Sequence, residues 1–339
     1  MNLLLVGDSN LFGRDHPVEA FSLVRDAIDV SDVAIAHAEG MFTDDARELP
    51  YKHNWRHSPP ALARGFRDAG FAALSVASNV CADRQAVLDT ITTLEALGQP
   101  FAGIGRTLAE ARRPAVVGSS GGRVALLSRT SVFWPPLVPA SADLPGAATV
   151  KAHTAYVPSR RAGEMPGTPP EVHTWPDAGE LDALRADLAE AREQADLVVL
   201  SMHWGISSSP IVQAYQRDIA RAAIDAGADV IFGHHPHVVQ EIELHRGRPI
   251  FYSLGNFAFD LPKMHGRLLD GLMVRVHAGD GPTRCEVMPV RRNADNLIAP
   301  LAAGDAAWQR AIDHLTHHAA AGLRDRLTVN GSQLRFTCA

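Results

Sequence analysis

An α/β fold organised on a parallel sheet is what this 339-residue sequence predicts, and three observations predict it. Short apolar runs alternate with amphipathic stretches from residue 3 to about 128. A second strand, helix, strand series spans residues 197–201, 213–226 and 230–232. Polar side chains able to bind metals directly follow the apolar runs, on the edge where open parallel sheets receive ligands.

The elements follow in chain order. The first strand, 3–6, runs into Gly7-Asp8, and helical spacing covers 18–28. A second strand, 33–36, ends in His37-Ala38-Glu39-Gly40, and a helix over 61–69 leads to a third, 72–77, which ends in Ser78-Asn79. A helix is predicted over 85–97. Residues 134–176 hold nine prolines among glycine, alanine and serine, a composition that interrupts helix and sheet, so this stretch reads as a surface excursion or lid. Helix 180–195 resumes the pattern, strand 197–201 reaches His203, and strand 230–232 reaches Gly233-His234-His235-Pro236-His237. A strand pair, 272–276 with 285–289, and a terminal helix, 306–326, complete the chain. The expected organisation is one domain over 1–300, with 301–339 as a helical extension packed on it.

Composition narrows the function classes. A formal charge of -6 without a basic stripe argues against nucleic acid or an anionic membrane as partner. No stretch is long and apolar enough to span a bilayer, and no basic leader precedes the strand at Asn2, so the expectation is a cytoplasmic protein. Three scattered cysteines make no disulfide framework and fit a reducing compartment. Cys81 reads as a buried, inert thiol, and His314, His317 and His318 as exposed helix residues.

The strand ends converge on one chemistry. Imidazole is the commonest metal-binding side chain, and a His-x-His pair presents two donors from one turn. Asp8, Glu39 and Asn79 add oxygen donors. Nitrogen with carboxylate oxygen suits one or two ions of manganese, iron or zinc, and the absence of clustered cysteine disfavours a structural zinc or iron-sulfur site.

Gly7-Asp8 with Arg14, Glu39-Gly40, Ala77-Ser78-Asn79, His203-Trp204-Gly205, the run from Gly233 to Gln240 and Tyr252-Ser253-Leu254-Gly255-Asn256-Phe257 resemble the CapA proteins. That family is named for capsular poly-γ-glutamate synthesis and looks related to the calcineurin-type metallophosphoesterases. The resemblance covers about residues 3–300. It implies a layered α/β sandwich of the metallophosphoesterase type, with a metal centre at the carboxyl ends of the strands. The metal ligands it implies are Asp8, Glu39, Asn79, His203, His235 and His237. His234 is surplus to the family's His-x-His pair and is assigned to orienting a ligand or meeting substrate. His37 stands where the family usually has asparagine, and with His234 it is a candidate catalytic group. Arg14, His53, His57 and Asn256 are the candidate contacts for an anionic small-molecule substrate.

Two departures qualify the reaction. The family usually reads asparagine-histidine where this chain has Asn79-Val80, and in the phosphoesterase relatives that histidine helps the leaving group depart. Valine donates no proton, and such assistance is worth about 10²- to 10⁴-fold. Asn10 replaces the histidine that follows the first aspartate in the phosphoesterases. The sequence therefore leaves open a metal-dependent hydrolase or amide/acyl transferase acting on a glutamyl-like or phosphorylated intermediate, and a catalytically weakened accessory protein of polymer or metabolite assembly.

Overall fold

The computed structural model describes residues 1–45, 49, 51–52, 55–260, 269–279 and 281–338. Two sheets lie at its centre. In the first, the strands Asn2–Asn10, Val33–Ala38, Ala73–Ser75 and Phe101–Ala102 run parallel, and Leu269–His277, Arg284–Arg292, Gln333–Thr337 and Thr328–Asn330 continue the other side antiparallel. In the second, Gly122–Thr130, Leu197–His203, Val230–His234 and Arg248–Phe251 are parallel, with antiparallel edges Ala115–Ser119 and Ile242–His245.

Alternation along the strands explains the layering. Successive side chains point to opposite faces of a strand. Leu3 and Leu5 meet Val124, Leu126, Val199 and Phe232 in a core between the two sheets. Leu4 and Val6 turn the other way, onto Phe21, Phe66 and Leu94 of the first helical layer. On the second sheet, Val198 and Leu200 face outward onto Leu184 and Leu188 of the helix Ala178–Gln194 and Ile219 of the helix Ala214–Asp225. The result is a helix, sheet, sheet, helix sandwich. Strands covered on both faces need near-continuous apolar sequence, which is why the runs that end in the site residues are so uniformly aliphatic.

Several elements differ from the sequence reading. The stretch 18–28 divides into a 3-10 helix, Pro17–Val24, and a short α-helix, Arg25–Asp29. The proline-rich excursion contains an exposed antiparallel hairpin, Ala152–Val157 with Glu171–Pro176, whose alternating side chains outweigh the flanking prolines. Arg84 ties its first part down by donating to the carbonyls of Pro136, Pro139 and Pro145. The tail is not helical alone. After the helix Ala306–His318, which packs Trp308, Ile312 and Leu315 into the inter-sheet core, the chain adds two strands to the first sheet. Among the described residues no helix is long and apolar enough to cross a membrane.

Candidate metal centre

The two sheets bring their strand ends face to face. Asp8 lies near the end of the first strand, completely buried, and its carboxylate draws in three donors from the second sheet's loop. His234 Nδ1 stands 2.9 Å from Oδ1, while the His235 amide and His237 Nδ1 each stand 3.2 Å from Oδ2. Burial alone would raise the Asp8 pKa, but the hydrogen bonds and charges of His234 and His237 outweigh it and hold the carboxyl well below its usual range. His237 Nε2 also lies 3.4 Å from Glu39, which is fully buried at the end of the second strand. Burial would lower the His237 pKa, yet Glu39 and Asp8 push it up to about 9.

The remaining imidazoles form a wall on the other side. His37 stacks on His234 with ring centroids 4.0 Å apart, and His203 lies 4.8 Å from His235. Burial drives His37 and His203 well below the ordinary histidine range and takes His235 down to about 3. These rings are neutral at physiological pH, the form that binds a metal. His203 Nδ1 and His37 Nε2 are 3.2 Å apart, and His37 Nδ1 is 2.9 Å from Ser75 Oγ. With protons passed from His203 toward Ser75, the His203 Nε2 lone pair is left bare. That atom, His234 Nε2 and His235 Nδ1 are buried without a hydrogen-bond partner among the described residues, although buried polar atoms are rarely left so. Two donor clusters, Asp8-His37-His234 and Asp8-Glu39-His237, have ligand atoms within 4.8 Å of one another. The nitrogen and carboxylate donor set fits a divalent transition metal.

The backbone is shaped around this centre. His235 and His237 adopt φ of 92° and 56°, conformations that cost a non-glycine residue roughly 1–3 kcal/mol and persist only where the surroundings fix them. Both anchoring bonds of Asn256 hold His237, whose Nδ1 is 3.2 Å from Oδ1 and whose carbonyl accepts from Nδ2 at 2.6 Å. Three glycines press on the segment that ends in Asn256. A Cβ on Gly7 would stand 2.3 Å from the Gly255 carbonyl oxygen, on Gly233 2.0 Å from that of Tyr252, and on Gly271 1.8 Å from that of Asn256.

The other sequence-derived candidates are placed as follows. Asn79 is at the site, and its Oδ1 accepts from the Lys52 ammonium at 3.2 Å. His37 is fully buried with both ring nitrogens engaged, which puts it behind His203 instead of against a substrate. Arg14 is a correction: its guanidinium is spent on Asp260 and on the Asn296 carbonyl, so it ties down the chain and is not open to an anion. His57 is buried, which likewise removes it from a substrate-facing surface. His53 lies outside the described residues. Asn10 supports the loop by donating to the Glu39 carbonyl and accepting from Phe12, and is not aimed at the centre.

Sequence reasoning gave no role at the centre to four residues that the structure places at or beside it. Lys52 reaches Asn79 and comes within 3.8 Å of Glu39; the polar and aromatic run 51–57, between the second and third strand ends, pointed to the mouth of the site without singling out the lysine. Ser75 ends the histidine relay. Arg310 and His314, from the terminal helix, line a cavity of about 510 Å³ together with His237, Asn256, Val238 and Val239. His314 is half-buried, with Nε2 2.9 Å from the Val239 carbonyl, and so is less exposed than its helix position suggested. Larger cavities, about 690 Å³ beside Arg112 and Asp187 and about 600 Å³ beside Met1 and His277, contain none of these groups.

Comparison with known proteins adds the following. A family model described as bacterial capsule synthesis protein PGA_cap matches residues 4–261. The PGA biosynthesis protein CapA of Bacillus subtilis (strain 168) is 46% identical over 104 residues, covering 30% of this chain and 27% of that protein. The capsule biosynthesis protein CapA of Bacillus anthracis is 31% identical over 234 residues, covering 67% and 49%. A probable polyglutamine synthesis accessory protein of Mycobacterium tuberculosis (strain ATCC 25618 / H37Rv) is 27% identical over 185 residues, covering 54% and 43%. The chain thus spans about half, or less, of the length of these relatives. Among solved structures, a phosphatase from Mycoplasma pneumoniae aligns with a TM-score of 0.45 and 11% identity, over 88% of this chain and 90% of that one.

Proposed function

The chain belongs to the PGA_cap family of bacterial capsule synthesis proteins, and from that premise we propose that it is a metal-dependent CapA-type enzyme acting on an anionic small molecule. The observation that carries the reading is the convergence of two buried carboxylates with buried imidazoles, several of whose nitrogens meet no hydrogen-bond partner among the described residues. Asp8, Glu39, Asn79, His203, His235 and His237 would hold one or two ions of manganese, iron or zinc. A divalent ion there supplies Lewis acidity to a phosphoryl or carbonyl oxygen.

The chain's own residues supply the rest. Asp8 accepts from three donors and so fixes the loop that carries the histidine cluster. His37 and Ser75 set the tautomer of His203, and His234 orients Asp8. Asn256 aims His237, and the cavity beside it admits substrate past Arg310, whose guanidinium suits a carboxylate or phosphate. The reaction is hydrolysis or amide/acyl transfer on a glutamyl-like or phosphorylated intermediate, which accords with relatives named for capsule and polyglutamine synthesis. The acidic net charge supports a small-molecule substrate over nucleic acid.

A second reading is favoured by one observation. Val80 lies completely buried in an apolar cluster with Leu49, Trp55, Phe259 and Leu269, where the family usually has its histidine. An accessory protein that binds without turnover is the outcome if that change abolished chemistry. Bound metal, measured by mass spectrometry on protein purified without chelator, is the first test. Alanine at His203 or His237 is expected to lower metal affinity at least 100-fold, and at His234 about 10- to 100-fold, the range typical of a group that orients a ligand. Equal metal retention in all three folded variants would overturn the metal reading. Turnover in a screen of phosphorylated and glutamylated metabolites separates enzyme from accessory protein.

A further inference from the structure

We infer that Lys52 is the resident cation of this centre, taking at the Glu39–Asn79 edge the charge-balancing role of a second metal, so that the site holds one divalent ion and not two. The inference rests on the metal reading above and deepens it. Its basis is where the ammonium stands. Lys52 Nζ is 3.2 Å from Asn79 Oδ1 and 3.8 Å from Glu39 Oε1, two of the oxygen donors that a second ion would need.

The ammonium is held there. It lies 4.5 Å from the centroid of the Trp55 ring, a cation-π placement. Trp55 is only 3% exposed and belongs to the same apolar cluster as Val80, Leu49, Phe259 and Leu269. The valine that replaces the family's histidine therefore contributes to the patch that seats the lysine's aromatic support. A histidine at that position would bring a polar ring into this patch. Val80, Trp55 and Lys52 thus form one local arrangement.

Charge and donor counting point the same way. Among the described residues, Asp8 and Glu39 are the carboxylates of the donor clusters, and one divalent ion matches their two negative charges. Lys52 adds a third positive charge, and a second divalent ion would have to approach that ammonium while competing with it for Asn79 and Glu39. Asn10, the residue in place of the phosphoesterase histidine, has its side chain committed to the Glu39 carbonyl and the Phe12 amide. On the opposite side, His203 Nε2 and His235 Nδ1 are buried without a hydrogen-bond partner among the described residues, and Asp8 lies between the two sides.

The test is metal stoichiometry on the whole chain, read by native mass spectrometry and by electron paramagnetic resonance after loading with Mn²⁺ and removing the excess. Wild type is expected to bind one equivalent and to give the spectrum of an isolated ion. Lys52→Met, which keeps the stem and removes the charge, is expected to bind a second equivalent and to show exchange coupling between neighbouring ions. Lys52→Arg keeps a cation and should remain at one. Lys52 is partly exposed, so both variants should fold, and a thermal melt checks this. Two equivalents in wild type or in Lys52→Arg would overturn the inference, as would one equivalent in all three proteins. No bound metal in any of them would instead overturn the metal reading from which it starts.

Discussion

The two sides of the centre are built from the same residue types and behave in opposite ways. On one side, His203 and His235 from the second sheet, with His37 of the first stacked behind, sit in a dry pocket that keeps them neutral. On the other, His237 from the second sheet's loop lies against Asp8 and Glu39 of the first and holds its proton up to about 9. Burial disfavours the proton on both sides, and the neighbours set the outcome: other imidazoles disfavour it further, while carboxylates recruit it. The neutral wall offers lone pairs, and the charged side is an ion pair that a metal must break into.

The largest effect that could break this comparison comes from Asp8, the residue shared by both sides. Asp8→Asn should abolish measurable metal binding. It should also lower the stability of the metal-free protein by about 3–5 kcal/mol, the usual cost of removing one partner from a buried charged pair. Calorimetric titration and urea unfolding measure the two quantities. Normal metal binding in this variant would show that the two sides do not depend on a common carboxylate.

A pH series on the metal-free protein sharpens the contrast. His237 is raised above its unfolded value, so its contribution is fully present below about 6.5 and disappears as pH rises through about 9. His37, His203 and His235 are depressed, so the unfolded chain takes up protons that the native wall refuses, and stability falls as pH drops below about 6.5. Unfolding midpoints between pH 5 and 10 should therefore peak near pH 6.5. The alkaline limb should vanish in His237→Gln and the acid limb should not. Metal affinity should rise across the alkaline limb, because His237 must release its proton to bind.

The smallest expected effect concerns Val80. If the site has been reshaped around valine, Val80→His should raise hydrolysis of esters with poor leaving groups less than about tenfold relative to activated aryl phosphates, far short of the 10²- to 10⁴-fold of a working general acid. Native activity should fall as the ring disturbs Trp55. A large selective gain would return the protein to phosphoester hydrolysis with only its acid missing.

Legibility in the sequence followed physical range. Strand ends were readable because burial on both faces forces an unbroken aliphatic run, and a histidine or acid at its end stands out. Asp8, Glu39, Asn79, His203 and the 234–237 cluster were located in this way, and they converge. Arg14 was misread because its partner, Asp260, is 246 residues away, and nothing local distinguishes a guanidinium in an ion pair from one awaiting an anion. The hairpin in the proline-rich stretch was hidden by composition: prolines at its borders drew attention from the alternation between them. The run 51–57 was legible as a candidate mouth of the site, but Lys52 was not singled out within it, because its role comes from Trp55 and Asn79 together, a relation that exists only once the chain has folded. The terminal strands were lost among exposed polar positions, with Leu334 and Phe336 too few to announce a sheet.

The three glycines around the Tyr252–Asn256 segment bear on how such a protein can diversify. A single methyl group at Gly7, Gly233 or Gly271 would collide with a carbonyl oxygen of that segment, displacing Asn256 and with it His237. Those positions are closed to drift whatever the substrate. The wall that carries Arg310 and His314 has no comparable restriction, since Arg310 projects from an exposed face of the terminal helix. Descendants of this chain can therefore exchange what they recognise by altering residues beyond position 300, while inheriting the chemical floor unchanged.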